Sequence, residues 1–161
     1  MRLGAHLSIG GGFAGAAGDA RLIGCEAMQV FSRSPRGGKA KPLHDGDVNS
    51  MKAILEEAGI RPLVVHAPYY LNLASDVGHN YAYSAEVLAE DVARAEALGA
   101  SFVVTHPGHR PEDGARGLDR VAAAVRAALE SGPAGVRVLI ENTAGQGREL
   151  GSDLDEIGLI L

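Results

Sequence analysis

Three apolar runs in the chain each finish on a side chain that can bind a metal ion. PLVVHAPYYLNLAS delivers His66, SFVVTHPGH delivers His106 and VRVLIENTAGQG delivers Glu141, forty and thirty-five residues apart. Two imidazoles and a carboxylate are the usual protein ligands of a catalytic zinc, which keeps a further position open for water. Each interval fits one strand-plus-helix unit, so successive parallel strands would aim all three groups at one point.

The elements that must position them follow from the apolar pattern. Residues 2–7 read as a strand, 12–24 as a small-residue helix and 26–31 as a second strand. A Gly/Pro/Lys loop and a helix near 47–58 come next. Residues 61–66, 101–106 and 136–141 read as the third to fifth strands, with helices at 81–98 and 118–130 between them; 153–161 begins another helix. The strands are short continuous apolar runs, as in a parallel sheet covered on both faces. Gly-Ile, Gly-Ala and Pro-Ala-Gly-Val breaks mark the helix ends that precede the last three strands. No linker or low-complexity segment divides residues 1–161, which read as one domain.

This α/β alternation suits an open doubly wound sheet or a (β/α)₈ barrel. His6, His66, His106 and Glu141 all fall at strand C-terminal ends. A barrel gathers such ends around one mouth, where its chemistry sits; an open sheet spreads them along a line, with a crevice only at the switch point. The barrel is preferred. A complete one takes roughly 250 residues, so this chain reads as its first five βα units.

Composition narrows the function class. A single cysteine, Cys25, excludes an internal disulfide and a cysteine-based zinc cluster, and its context reads as a buried inert thiol. No secretory signal or membrane-spanning run is visible, so the cytoplasm is the default compartment and no membrane partner is expected. The net charge of −5 argues on composition against a nucleic-acid partner. Arg33, Arg36, Lys39 and Lys41 nevertheless share one loop, which by itself reads as a solvated loop.

A rival motif is present. Gly10, Gly12 and Gly15 match G-x-G-x-x-G between a strand and a helix, the dinucleotide-binding context, with Ser32 and Arg33 placed to meet a 2′-phosphate. The acidic residue that should end the second strand is missing, and the scheme leaves His66, His106 and Glu141 without a purpose. No Walker lysine follows the glycines. No nucleotide cofactor is expected.

Taken together, GAHLSIGGG, HAPYYLNLAS around His66, THPGH around His106 and IENTAGQG from Ile140 resemble the endonuclease IV family. These are zinc-dependent apurinic/apyrimidinic endonucleases of the xylose-isomerase-like barrels. The match is collinear over essentially the whole chain. The resemblance implies three zinc ions at the C-terminal mouth of a (β/α)₈ barrel. It implies hydrolysis of the phosphodiester 5′ to an abasic site in double-stranded DNA, leaving a 3′-hydroxyl for repair synthesis. His66 and His106 match two metal ligands, and Glu141 matches the catalytic carboxylate that bridges two metals. Arg36, Tyr69 and Tyr70 match loop positions that enter DNA beside the flipped-out nucleotide. His6 has a family counterpart but no ligand role.

The chemistry agrees with ligands rather than general bases. Lowering the pKa of bound water from about 15.7 to about 7 is worth roughly 12 kcal/mol, against roughly 3–5 kcal/mol for a positioned side-chain base. An abasic nucleotide is also easier to extrude, having no base to unstack. Alone, Tyr69 and Tyr70 would read as a roof over the mouth, and His44, His79 and His109 read as surface residues. Asn142, Thr143 and Gln146 either orient Glu141 or cap the next helix.

The chain departs from the family at Gly37-Gly38, where polar and bulky residues are usual, and at Tyr70 and Leu71, where aliphatic residues are. The family's Asp-Thr-Cys-His segment and remaining ligands have no counterpart in it. At most one well-formed zinc site, little activity and an unpaired strand edge favouring association are therefore expected. Two other classes compete with the nuclease reading: a metal-dependent sugar isomerase or epimerase on the same barrel, and a non-catalytic remnant.

Overall fold

Five apolar runs form the strands β1 (Gly4–Leu7), β2 (Ala27–Phe31), β3 (Leu63–His66), β4 (Phe102–Thr105) and β5 (Arg137–Ile140) of a computed structural model. The structure describes residues 1–112 and 116–161. Helices α1 (Phe13–Leu22), α2 (Asp45–Ala58), α3 (Gly78–Leu98) and α4 (Arg116–Ser131) link successive strands, and α5 (Leu154–Ile160) follows β5. All four strand pairings are parallel, in the order β1-β2-β3-β4-β5. That sequential order has no switch point of the kind a doubly wound sheet requires. It is the winding of a barrel wall.

The strands are one or two residues shorter than the apolar runs suggest: β1, β2 and β3 lose residues only at their N-terminal ends, and β4 and β5 lose one at each end. Helix α3 starts three residues before the expected position, at Gly78. The helix ends are as the glycine breaks imply: Gly59 and Gly99 cap α2 and α3 in the left-handed conformation, at φ 65° and 80°. Such a cap costs a Cβ-bearing residue energy that glycine avoids.

Strand alternation divides the sheet into two faces. Met28, Val30, Leu63, Val65 and Val103 face the helices and join Ala17, Met51, Leu88, Val92 and Val121 in one core. Fully burying a side chain of this size is worth roughly 1.5–3 kcal/mol. The other face carries registered rows across the sheet. One row runs Gln29, Val64, Phe102 and Arg137; the next runs Phe31, His66, Val104 and Leu139. Leu139 is 42% exposed, and β1 and β5 each pair on one side only among the described residues. No helix among the described residues is long and apolar enough to cross a membrane. Cys25 is half-buried against the core.

The glycine-rich turn before α1 has a structural purpose. Asp47 of α2 accepts hydrogen bonds from the Phe13 and Ala14 backbone N–H groups, at 2.8 and 2.9 Å. A Cβ on Gly12 would come within 3.0 Å of that carboxylate. Asp47 therefore takes the place at the helix N-terminus that a bound pyrophosphate would need. Its carboxylate caps α1 and ties it to α2. Asp47→Ala is expected to lower stability by about 1–2 kcal/mol, read as a lower urea midpoint at unchanged m-value.

Candidate metal centre

Register explains why three residues so distant in sequence meet. His66 ends β3 and pairs with Phe31 on one side and Val104 on the other. His106 follows β4, and Glu141 follows β5 with its backbone N–H donating to the Thr105 carbonyl at 2.9 Å. His106 and Glu141 therefore stand two residues further along the same face than His66. Their ligand atoms all lie within 4.8 Å of one another. His66 Nε2 is 3.0 Å from Glu141 Oε2, and His106 Nε2 is 3.9 Å from the same oxygen.

Hydrogen bonding fixes what His66 offers. Its Nδ1 lies 2.6 Å from the Ala67 carbonyl, which can only accept, so Nδ1 carries a proton and donates it. In the neutral ring Nε2 then presents a lone pair to a carboxylate oxygen. Two acceptors at 3.0 Å repel each other unless a proton or a cation lies between them. An imidazole held by a backbone carbonyl through its other nitrogen is also the usual outer-shell arrangement of a metal ligand. Tetrahedral zinc with bonds of about 2.0–2.2 Å separates its donors by roughly 3.3–3.5 Å. The observed 3.0 and 3.9 Å bracket that value. His66, His106 and Glu141 thus fit a divalent cation with only small movements.

The walls are aromatic. Phe31 and Tyr69 pack edge to face at 5.1 Å, and each also approaches His66, at 5.6 and 5.4 Å. Phe31 is a wall residue the sequence pattern does not single out, although its place at the end of the strand beside β3 is the signal that could have found it. Nδ1 of His106 is buried without a hydrogen-bond partner among the described residues. His6 sits on β1 with its ring 5.9 Å from that of His66, and its Nδ1 accepts from the Gln29 amide at 2.9 Å. Burial lowers the His6 pKa, and repulsion from His66 lowers it further while Glu141 opposes. His6 stands outside the three-residue cluster.

The structure separates the three expected loop residues. Tyr69 is 61% exposed at the rim. Tyr70 is half-buried, stacks on Tyr83 at 6.0 Å and lies under Gly37; burial pushes its phenol up to about 12. Of the two, Tyr69 is the one available to a ligand. Arg36 is exposed and lines a cleft of about 950 Å³ with His6, Ser8, Lys39 and Lys41.

Arg33 differs from its basic neighbours. It is 4% exposed and ion-paired to Asp91 at 2.8 Å and Glu90 at 2.6 Å, so it is neither solvated nor available to a phosphate. The Thr143 hydroxyl turns away from Glu141. The Thr143 hydroxyl donates to the Leu150 carbonyl and the Gln146 N–H donates to Glu149, closing the loop after β5, while Asp153 caps α5. His44, His79 and His109 are exposed, as expected.

Comparison with known proteins gives the geometry a context. The family model for the xylose isomerase-like TIM barrel matches residues 18–160. A curated "Probable endonuclease 4" from Carboxydothermus hydrogenoformans is 40% identical over 162 residues, covering 100% of this chain and 57% of that protein. Its counterpart from Methanoculleus marisnigri is 39% identical, covering 99% of this chain and 57% of the relative. The crystal structure of endonuclease IV from Thermus thermophilus matches with a TM-score of 0.85 at 37% identity, over 99% of this chain and 58% of that one. A D-tagatose 3-epimerase-like protein reaches a TM-score of 0.75 at 19% identity, over 100% and 60%, a likeness of fold alone. The chain spans little more than half the length of the curated relatives it matches.

One divalent metal ion per chain is expected in calorimetric titration, with proton competition releasing it on acidification. His66→Ala should weaken binding by more than about 100-fold, since loss of outer-shell partners alone costs about 10–100-fold. His6→Ala should leave the stoichiometry at one.

Proposed function

The chain belongs to the xylose isomerase-like TIM barrel family, and from that premise we propose that it carries the first metal site of an endonuclease IV-type repair enzyme. The reaction would be hydrolysis of the phosphodiester 5′ to an abasic site in double-stranded DNA. The observation that carries this reading is the meeting of His66, His106 and Glu141 at one rim in a chain 40% identical to a probable endonuclease 4.

In this reading His66, His106 and Glu141 hold zinc. Bound zinc would supply an acidified water and neutralise charge on the phosphate oxygens. The chain's own contribution is positional. The Ala67 carbonyl locks the His66 ring with Nε2 toward the ion. Oε2 of Glu141 lies 3.0 Å from His66 Nε2 and 3.9 Å from His106 Nε2, so it is the carboxylate oxygen that would join the two imidazoles in holding the ion. Phe31 and Tyr69 wall one side of the site and limit water there. Exposed Tyr69 is the wedge that would stand beside an extruded nucleotide, with Tyr70 supporting the neighbouring loop.

Charge favours a nucleic acid over a sugar. Arg36, Lys39 and Lys41 line the cleft beside the metal rim, a basic arrangement that a neutral ketose does not need. In the presence of zinc, the chain is expected to bind a duplex carrying one abasic-site analogue at least several-fold more tightly than the intact duplex, because no base is unstacked on extrusion. Fluorescence anisotropy on both duplexes, with incision followed on a natural abasic site, checks this. Equal affinity for both, together with epimerisation of a ketose, would overturn the nuclease reading in favour of the sugar enzyme.

A further inference from the structure

We propose that Arg94 of α3 is the positioning residue for the loop that carries Arg36. Its guanidinium fastens both ends of residues 32–41 to one helix. Nε donates to the Ser32 hydroxyl at 3.0 Å, one terminal nitrogen donates to the Ser32 carbonyl, and the other donates to the Lys41 carbonyl at 3.0 Å. Three donors in a rigid fork thus hold two points nine residues apart.

The start of the loop is secured a second time. The Ser32 hydroxyl donates to Asp91 at 2.5 Å while accepting from Arg94. Arg33 donates to Asp91 and Glu90. Ser32 and Asp91 are buried, at 1% and 0% exposure, so the bonds to Asp91 lie out of competing water. Between the two anchors the chain has Gly37 and Gly38 at φ 104° and 89° and four exposed residues, Ser34, Arg36, Gly38 and Lys39. Such a stretch has little packing of its own to order it. Bringing its ends together costs loop-closure entropy, and binding a ligand costs more if the loop is loose. Arg94 meets that cost in the free protein.

A lysine cannot replace it. An ammonium is a point charge on a flexible stem and does not reach separate carbonyls in fixed directions. The functional weight of the inference rests on the DNA-binding reading of Arg36, but the clamp itself can be tested without DNA.

Amide hydrogen exchange on the full chain tests the clamp with Arg94→Met and Arg94→Lys. Both variants are expected to exchange the 34–41 amides at least about tenfold faster, the effect of losing one charge-assisted hydrogen bond. Amides of β2 and α3 should keep their protection. Binding to the abasic-analogue duplex should weaken about tenfold in both variants at an unchanged salt slope, whereas Arg36→Ala should lower the slope by about 1.

Unchanged loop exchange overturns the proposal. So does a lowered salt slope in Arg94→Met, which would make Arg94 a phosphate contact. Loss of protection throughout β2 and α3 in both variants would make it a general fold residue and overturns the proposal equally. If the unaltered chain fails to bind the duplex, the DNA reading fails while loop exchange still decides the clamp.

Discussion

The site depends on one constraint, the in-register pairing of parallel strands. Phe31 pairs with His66, Val104 with Leu139, and the Glu141 N–H with the Thr105 carbonyl. Side chains alternate with a period of two, so a slip of one residue in any strand would turn its entire inward set toward the helices. The buried set on the other face prevents that slip. Met28, Val30, Val65 and Val103 are at most 1% exposed, and none could be turned to the concave side without losing that burial. The apolar packing that stabilises the sheet is therefore also what aims His66 and Glu141 at each other.

This coupling explains what was legible from sequence. Residues at the ends of apolar runs are marked by composition and spacing alone, which is why His66, His106 and Glu141 stand out. The strands follow from the same runs, and their sequential order from the polar residues that end them. Partnerships across the fold leave no such mark. Nothing near Asp47 announces that it caps a helix starting thirty-four residues earlier. Gly10, Gly12 and Gly15 resemble a phosphate cradle until that carboxylate is seen against the helix N-terminus. Arg33 looks like one of four solvated cations until α3 supplies Asp91, fifty-eight residues away. Thr143 is close to Glu141 in sequence, yet its hydroxyl turns to Leu150. Local signals located the elements to within a few residues; long-range hydrogen bonds decided how the loops and helix ends between them are held.

The buried polar cluster also changes how charge should be counted. Burial works against the charged form of Arg33, but Asp91 and Glu90 outweigh it and hold the guanidinium above its ordinary pKa. Burial pushes Asp91 up, and Ser32, Arg33 and Arg94 pull it back. As charged groups, two arginines and two carboxylates cancel. The cluster therefore adds structure to the cleft without adding net field. Attraction for a polyanion must come from the exposed cations, Arg36, Lys39 and Lys41, which lie within a few residues of one another on the loop.

That separation reconciles a net charge of −5 with the nucleic-acid ligand we propose. A Debye length of about 8 Å at physiological ionic strength confines the influence of an exposed charge to its neighbourhood. Apart from Asp47, which lines the cleft and is bonded to the start of α1, carboxylates on the outer helices are largely screened at the rim, whereas the three loop cations and a bound divalent ion would act together there. Held by the buried Arg33–Asp91 pair and by Arg94 on α3, the loop can present its charge in a fixed direction beside the metal ligands. The local field, not the net charge, is then what an approaching phosphate meets.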